Sequence, residues 1–273
     1  MASADVSLYD DPEVYDILHA PGTLDDVRGL ERIERRWVAP GARGRAWLEP
    51  ACGTARHLVA AAKRGRRVIG FDLNPAMVHA ARAKLVRAGA GRRARVFVAD
   101  MRTFGPMVGP GSVGLAFNLI NTIRHLPSDA AMIDHLRGVG MALAPGGVYA
   151  VGISLSAYGL EDPSEDVWSG SRGRCVVKQV VQYEPASGPG RAERWERVIS
   201  HLIVARGSRE EHRDSVYRLR GYDMTQWQRV VVRAGLRVVG VVDERGDGVT
   251  PTEPGYAVWL LGVRSARRWN SGG

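Results

Sequence analysis

The sequence predicts an α/β fold: a doubly wound, mostly parallel seven-stranded sheet with an inserted antiparallel β flap. Three observations predict it. Apolar runs of strand length alternate with helix-period segments from residue 45 to residue 153. The runs Trp47-Leu48-Glu49 and Val68-Ile69-Gly70-Phe71-Asp72 each end in a carboxylate, and the first passes through a glycine turn into a helix. An open sheet of this class presents a ligand crevice at the carboxyl ends of its strands in that way. After residue 154 the alternation stops, and strand-like runs follow one another with only Gly, Pro and Ser turns between them.

Residues 1–40 carry Tyr9, Val14, Tyr15, Ile17 and Leu18, then Val27, Leu30, Ile33 and Trp37 at helical spacing. They read as an N-terminal helical cap closed by Pro40-Gly41. The main domain occupies 41–154 and 222–264, with strands at 45–49, 67–71, 95–99, 113–118 and 148–153. Its helices are 54–64, then 75–88 with Asn74 as N-cap and Pro75 at the first position, then 128–143 capped by Ser128. Residues 155–221 form the flap, with 155–172 read as a loop and 174–183, 194–205 and 212–221 as strands. A helix at 223–234 and strands at 236–243 and 256–263 complete the sheet, and the tail from Arg264 reads as frayed.

Composition narrows the function classes. Hydrophobic content of 45% and charged content of 25% are ordinary for a globular protein. No segment approaches the ~20 apolar residues of a membrane span, and residues 1–13 lack a basic-then-apolar leader pattern. The expectation is a cytoplasmic protein. Cys52 and Cys175, the two cysteines, imply no disulfide framework, and no Cys/His cluster has metal-ligand spacing. The net charge of +9 suggests nucleic acid at first. Yet only Lys63, Lys84 and Lys178 are lysines, and the arginines are scattered rather than focused in a stripe. Nucleic acid is therefore not the expected partner.

The turn after Glu49 discriminates between cofactors. A dinucleotide pyrophosphate needs bare backbone, G-x-G-x-x-G, whereas Gly53 is the single glycine of this turn and Ala55 holds the second place. A carboxylate at the strand end repels phosphate. S-adenosylmethionine has no phosphate; it carries a sulfonium and an ammonium that Glu49 would attract. Gly53 lets the backbone pass beneath the methionyl part, the helix N-terminus after Thr54 would receive the methionine carboxylate, and Asp72 would take the ribose diol.

These residues resemble the class I, Rossmann-like S-adenosylmethionine-dependent methyltransferases. The family's acid-x-x-x-Gly-x-Gly motif is similar to Glu49 through Ala55, its second acid to Asp72, and its third to Asp100 in Val98-Ala99-Asp100-Met101. Ala116-Phe117-Asn118 resembles the strand facing the transferred methyl group, and Leu143-Ala144-Pro145-Gly146-Gly147 the turn before the fifth strand. The resemblance covers about residues 45–153, and 223–263 by pattern. It implies S-adenosyl-L-methionine as cofactor and a cofactor set of Tyr15, Glu49, Ala51, Cys52, Gly53, Thr54, Arg56, Asp72, Leu73, Met77, Asp100, Met101 and Asn118. Asp100 would meet the adenine amino group, with Met101 on the ring, and Tyr15 is similar to the aromatic that the family's N-terminal helices place over the cofactor. Ala55 departs from the second glycine. Read as the first residue of a helix, it tolerates a methyl.

Methyl transfer is an in-line displacement that needs a positioned nucleophile and exclusion of water. His125, just beyond the fourth strand, is the candidate base, because it titrates near neutrality. Asn121, Tyr158 and Arg220 are candidate substrate residues, while Cys52 and His57 read as a small turn residue and a packing or surface histidine. A flap above the carboxyl edge suits a small-molecule methyl acceptor, taken at N or O, or alternatively a homodimer interface. An RNA or protein methyltransferase and a non-catalytic S-adenosylmethionine-binding protein stand as rival readings.

Overall fold

The computed structural model describes residues 8–264. Two short pieces of chain open it: a 3-10 turn at Leu8–Asp10 and helix α1, Pro12–His19, capped by Asp11. Helix α2, Thr23–Trp37, follows. Strands β1 (Ala46–Pro50), β2 (Val68–Asp72), β3 (Ala94–Val98) and β4 (Val113–Asn118) then alternate with α3 (Arg56–Lys63) and α4 (Pro75–Arg87). Helix α5 (Asp129–Ala142) leads into β5 (Leu143–Leu155). Strands β6 (Ser164–Arg172), β7 (Cys175–Glu184), β8 (Trp195–Arg206) and β9 (Arg209–Arg220) form the flap, and α6 (Met224–Arg233), β10 (Leu236–Val242) and β11 (Gly255–Val263) return to the main sheet.

The main sheet runs β10-β11-β5-β4-β1-β2-β3. Strands β1 to β5 pair in parallel, and β11 lies antiparallel between β5 and β10. Strand order reverses between β1 and β4, so the crevice for a ligand opens at the ends of those two strands. Period-2 alternation divides the core. Leu48, Ala116, Tyr149 and Val151 face α5 and α6, whereas Trp47, Leu115, Phe117 and Ala150 face α2, α3 and α4. Helices on both faces bury both surfaces of the central strands, which is why those strands read as near-continuous apolar runs.

The N-terminal segment, described from residue 8 to residue 40, acts in two ways. Val27, Leu30 and Ile33 of α2 join the core beneath the sheet, while Val14, Ile17 and Leu18 of α1 pack on Val177, Leu202 and Val204 of the flap. Residues 1–7 and 265–273, including most of the tail, lie outside the described residues.

The flap is a four-stranded antiparallel sheet in the order β6-β7-β8-β9. The reading of 155–172 as a loop is corrected: its second half is strand β6, paired residue for residue with β7 from Ser164↔Tyr183 to Arg172↔Cys175. It is an edge strand that buries almost nothing. Backbone pairing holds it, so Ser, Gly and Asp suffice and no apolar alternation marks it.

Candidate functional site

At the end of β1 the chain turns through three positive φ angles: Ala51 at 50°, Gly53 at 51° and Ala55 at 61°. Two hydrogen bonds fix the turn to β2. The Cys52 N–H donates to Phe71 O at 2.9 Å, and the Gly53 N–H to Asp72 Oδ2 at 2.8 Å. The other Asp72 oxygen accepts the Asn74 N–H at 2.9 Å. Burial raises the Asp72 pKa, against the pull of those amides. Each carboxylate oxygen retains a lone pair for a further donor.

Helix α3 starts two residues later than the sequence suggests. Ala55 is its N-cap in left-handed backbone, with no side-chain cap. The position is one that glycine favours, and alanine there costs roughly 1–2 kcal/mol of conformational strain. Its tolerance is thus not that of an ordinary helix start. Thr54 precedes the helix, and its buried hydroxyl donates to Asp16 Oδ1 at 2.7 Å.

Glu49 and Asn118 end the two strands that flank the crevice. Both are buried, and each keeps one polar atom without a partner: Glu49 Oε2 and Asn118 Oδ1. Glu49 Oε1 accepts from His57 Nδ1 at 2.6 Å, and Asn118 Nδ2 donates to Pro50 O at 2.9 Å. Unpaired buried acceptors are costly. Two of them at adjacent strand ends fit a ligand that brings donors or positive charge.

Tyr15 crosses above this turn. A Cβ built on Gly53 would come 2.9 Å from its ring. Asp16, one residue on, ties α1 down: it accepts from Thr54, Lys84 of α4 and Arg172 of β6. Burial disfavours its charge, but these donors outweigh it and lower the Asp16 pKa. Rings then continue across the site. His19 meets Trp168 of the flap at 5.5 Å and Tyr15 at 4.5 Å; Tyr15 meets Tyr9 at 5.9 Å, Tyr9 meets His125 at 5.8 Å, and His125 stacks on Tyr217 of the flap at 5.6 Å. The N-terminal segment is therefore layered between the carboxyl edge of the sheet and the flap.

His125 ends a 3-10 turn at Thr122–His125, with Nε2 3.3 Å from the Tyr9 hydroxyl. Desolvation by the packed rings, then the Arg124 guanidinium, lowers its pKa, so the ring is neutral at physiological pH although one edge is open to water. Leu73, beside Asp72, is 67% exposed, an uncovered apolar surface next to the carboxylate. Met101 is half-buried, and Met77 is buried in α4. Asp100 is held by Arg102, whose Nη2 lies 2.5 Å from Oδ2, and that pairing lowers its pKa. Cys52 is buried against Gly70, and desolvation pushes its thiol pKa well up, away from nucleophilic use.

Several of the residues singled out in the sequence are tied to the protein itself. Arg56 donates to Thr23 and pairs with Asp26 at 2.9 Å. Asn121, at φ 60°, bonds Ser154 with both ends of its amide. Arg220 pairs with Asp129 at 3.1 Å, and Tyr158 donates to Gln226 at 2.8 Å. These four brace loops around the site. Sequence reasoning missed Asp16, Asp26, Tyr9 and the role of His57, because Asp26 lies 31 residues from His57, Asp16 38 from Thr54 and Tyr9 116 from His125.

A family profile described as a methyltransferase domain matches residues 48–147, from within β1 to within β5. No curated protein sequence matches the chain. Among solved structures the chain is similar to DesVI of Streptomyces venezuelae, with 19% identity over 96% of this chain and 100% of that one and a TM-score of 0.71. It is similar to a S-adenosylmethionine-dependent methyltransferase from Clostridium acetobutylicum, with 16% identity over 92% and 96% and a TM-score of 0.68. It is also similar to the sugar N-methyltransferase KedS8 from Streptoalloteichus sp., with 21% identity over 97% and 99% and a TM-score of 0.65. The matched segment carries the whole strand-end turn from Glu49 to Ala55, both later acids and Asn118; residues 48–147 thus match a methyltransferase domain, within a fold shared with solved S-adenosylmethionine-dependent methyltransferases.

Proposed function

We propose that this chain moves a methyl group from S-adenosylmethionine to an N or O atom of a small-molecule acceptor, with an amine nitrogen as the favoured target. One observation carries the reading: buried acceptors without a partner, Glu49 Oε2 and Asn118 Oδ1, stand at the carboxyl ends of the paired strands β1 and β4, beside a Gly53 turn that Tyr15 of α1 covers. When bound, the donor supplies a methyl group already activated on a sulfonium. Glu49 and Asn118 would hold its cationic methionyl end, Gly53 would pass beneath it, Asp72 would accept the ribose hydroxyls, and Leu73 and Met101 would flank the base. Tyr15 would cover the donor and exclude water.

His125 would help hold the acceptor and would not take its proton. Its ring stands between Tyr9 and the flap residue Tyr217, and a pKa lowered to about 4, not near neutrality as the sequence suggests, leaves it too weak a base for the proton that a methylated ammonium releases, which would pass to water. Amine acceptors are favoured by two likenesses. KedS8 is named a sugar N-methyltransferase, and a further structure similar to this chain, at 20% identity and a TM-score of 0.56, is the glycopeptide N-methyltransferase MtfA. Among the described residues no helix is long and apolar enough to cross a membrane.

The test is calorimetry with S-adenosylhomocysteine, followed by turnover against a panel of amino sugars, other primary and secondary amines, and alcohols. Micromolar binding and turnover confined to amines are expected. Absence of binding would refute the donor assignment, and turnover confined to alcohols would refute the nitrogen preference.

A further inference from the structure

His57 lies eight residues beyond Glu49, in the first turn of α3, and has no part in the chemistry above. Its buried ring meets Phe117 of β4 edge-on at 5.7 Å. A carboxylate stands at each nitrogen. Nδ1 is 2.6 Å from Glu49 Oε1, and Nε2 is 3.0 Å from Asp26 Oδ2. Ionised carboxylates only accept, and a neutral imidazole has a single N–H. Both contacts are hydrogen bonds together only when the ring carries two protons. Burial opposes that charge and so does Arg56, but the Glu49 charge and the two hydrogen bonds outweigh them and raise the His57 pKa.

The charged and titratable neighbours come from every element around the ring. Glu49 faces it from β1 and Asp26 from α2, while Arg56 stands beside it on α3 and is itself bonded to Asp26. His19 approaches from α1 and is neutral, its pKa lowered to about 4 by burial and by the Arg56 charge.

We infer that His57 is a positioning residue for the methyl donor: as an imidazolium it grips Glu49 Oε1 and leaves Oε2 as the oxygen that meets the donor's ammonium. The inference rests on the assignment of Glu49 to the donor site. Without His57, Oε1 is left unpaired as well as Oε2, and nothing fixes which oxygen of Glu49 meets a cationic ligand.

The probe is S-adenosylhomocysteine, which keeps the ammonium and cannot turn over. His57→Ala should weaken its Kd about tenfold at neutral pH, the size of one lost hydrogen bond to a charged group. His57→Gln, which can still donate to Oε1, should recover part of the loss. Glu49→Gln should bind weakly whether or not His57 is present. A His57→Ala protein that binds like wild type, or whose loss His57→Gln leaves whole, overturns the inference. If that variant does not fold, the wild-type ring decides: imidazole 15N shifts at neutral pH showing both nitrogens protonated support the inference, and a single-proton tautomer overturns it. Failure of wild type to bind would remove the donor assignment and this inference together; binding by wild type with no effect of His57→Ala removes the inference alone.

Discussion

Gly53→Ala is the sharpest probe of the turn after β1. Two costs add. The backbone at φ 51° penalises a Cβ by roughly 1–2 kcal/mol. That Cβ would also stand 2.9 Å from Tyr15 Cε1 and 3.1 Å from its Cζ and hydroxyl. Only the far end of the tyrosine must give way, but the ring is packed between Tyr9 and His19, so displacement costs about 1 kcal/mol at the low end of overpacking penalties. The stiffer unfolded chain returns about 0.5–1 kcal/mol. The net is about 1–2 kcal/mol, or a Tm fall of about 2–8 °C for a chain near this size. Gly65→Ala is the control. Its φ is 90° with nothing within 4 Å of a Cβ, so it carries the conformational cost alone. Differential scanning fluorimetry with and without S-adenosylhomocysteine reads both effects. Gly65→Ala should lose Tm and keep the ligand-induced rise, whereas Gly53→Ala should lose both. A Gly53→Ala protein that keeps the ligand-induced rise would refute the placement of the donor over this turn.

Other expectations follow from the same geometry. Asp16→Asn leaves Lys84, the more buried of its two cationic partners, without a counter-charge, and should cost about 2 kcal/mol by urea denaturation, a figure below that of a fully buried pair because Arg172 is solvent-exposed. His125→Ala should raise KM for the acceptor by about tenfold with KM for the donor unchanged, and the loss should not vary with the amine pKa of the acceptor. Stability should depend on pH from two sides. The raised His57 pKa gives a contribution complete below its unfolded value of 6.5 and lost as the pH climbs through the folded one; the lowered pKa values of Asp16 and Asp26 give contributions present above 3.8 and lost in acid. Urea midpoints should therefore fall on both flanks, and His57→Ala should remove the alkaline fall. In the native protein iodoacetamide should label Cys175, which is partly accessible, and spare Cys52, as peptide mass spectrometry would show.

The strand ends were the legible part of the site. A parallel strand buried on both faces has an unmistakable apolar run, so the carboxyl ends of β1, β2 and β4, where Glu49, Asp72 and Asn118 stand, could be placed from the pattern, while the role of Asn118 there was implied by the family resemblance. Helix caps were legible for a related reason: Asn74 and Ser128 accept from amides two or three residues ahead, within reach of local pattern. What stayed hidden was everything joined across the chain. Nothing local distinguishes His57 from a surface histidine until α2 brings Asp26 against it. Strand β6 was hidden because an edge strand is specified by its neighbour's backbone and not by its own side chains.

The arginine excess takes on a different meaning once its partners are known. Arg64 and Arg66, the densest basic cluster of the sequence, pair with Glu31 and Glu34 and hold α2 against the sheet. Arg194 and Arg220 share Asp129 at the start of α5, which anchors the end of the flap beside the last main-sheet helix. Arg213 pairs with Asp11 at the cap of α1, and Arg172 with Asp16 within it. Guanidinium groups suit such joints because they bond in a fixed fork and stay charged. A polynucleotide surface needs cations that are free and aligned. Here the cations named above are spent on joints that tie α2, the flap and α1 in place; a cation so paired is offset by its carboxylate, so the net charge of +9 is carried mainly by other basic residues and says nothing about how the roof is held.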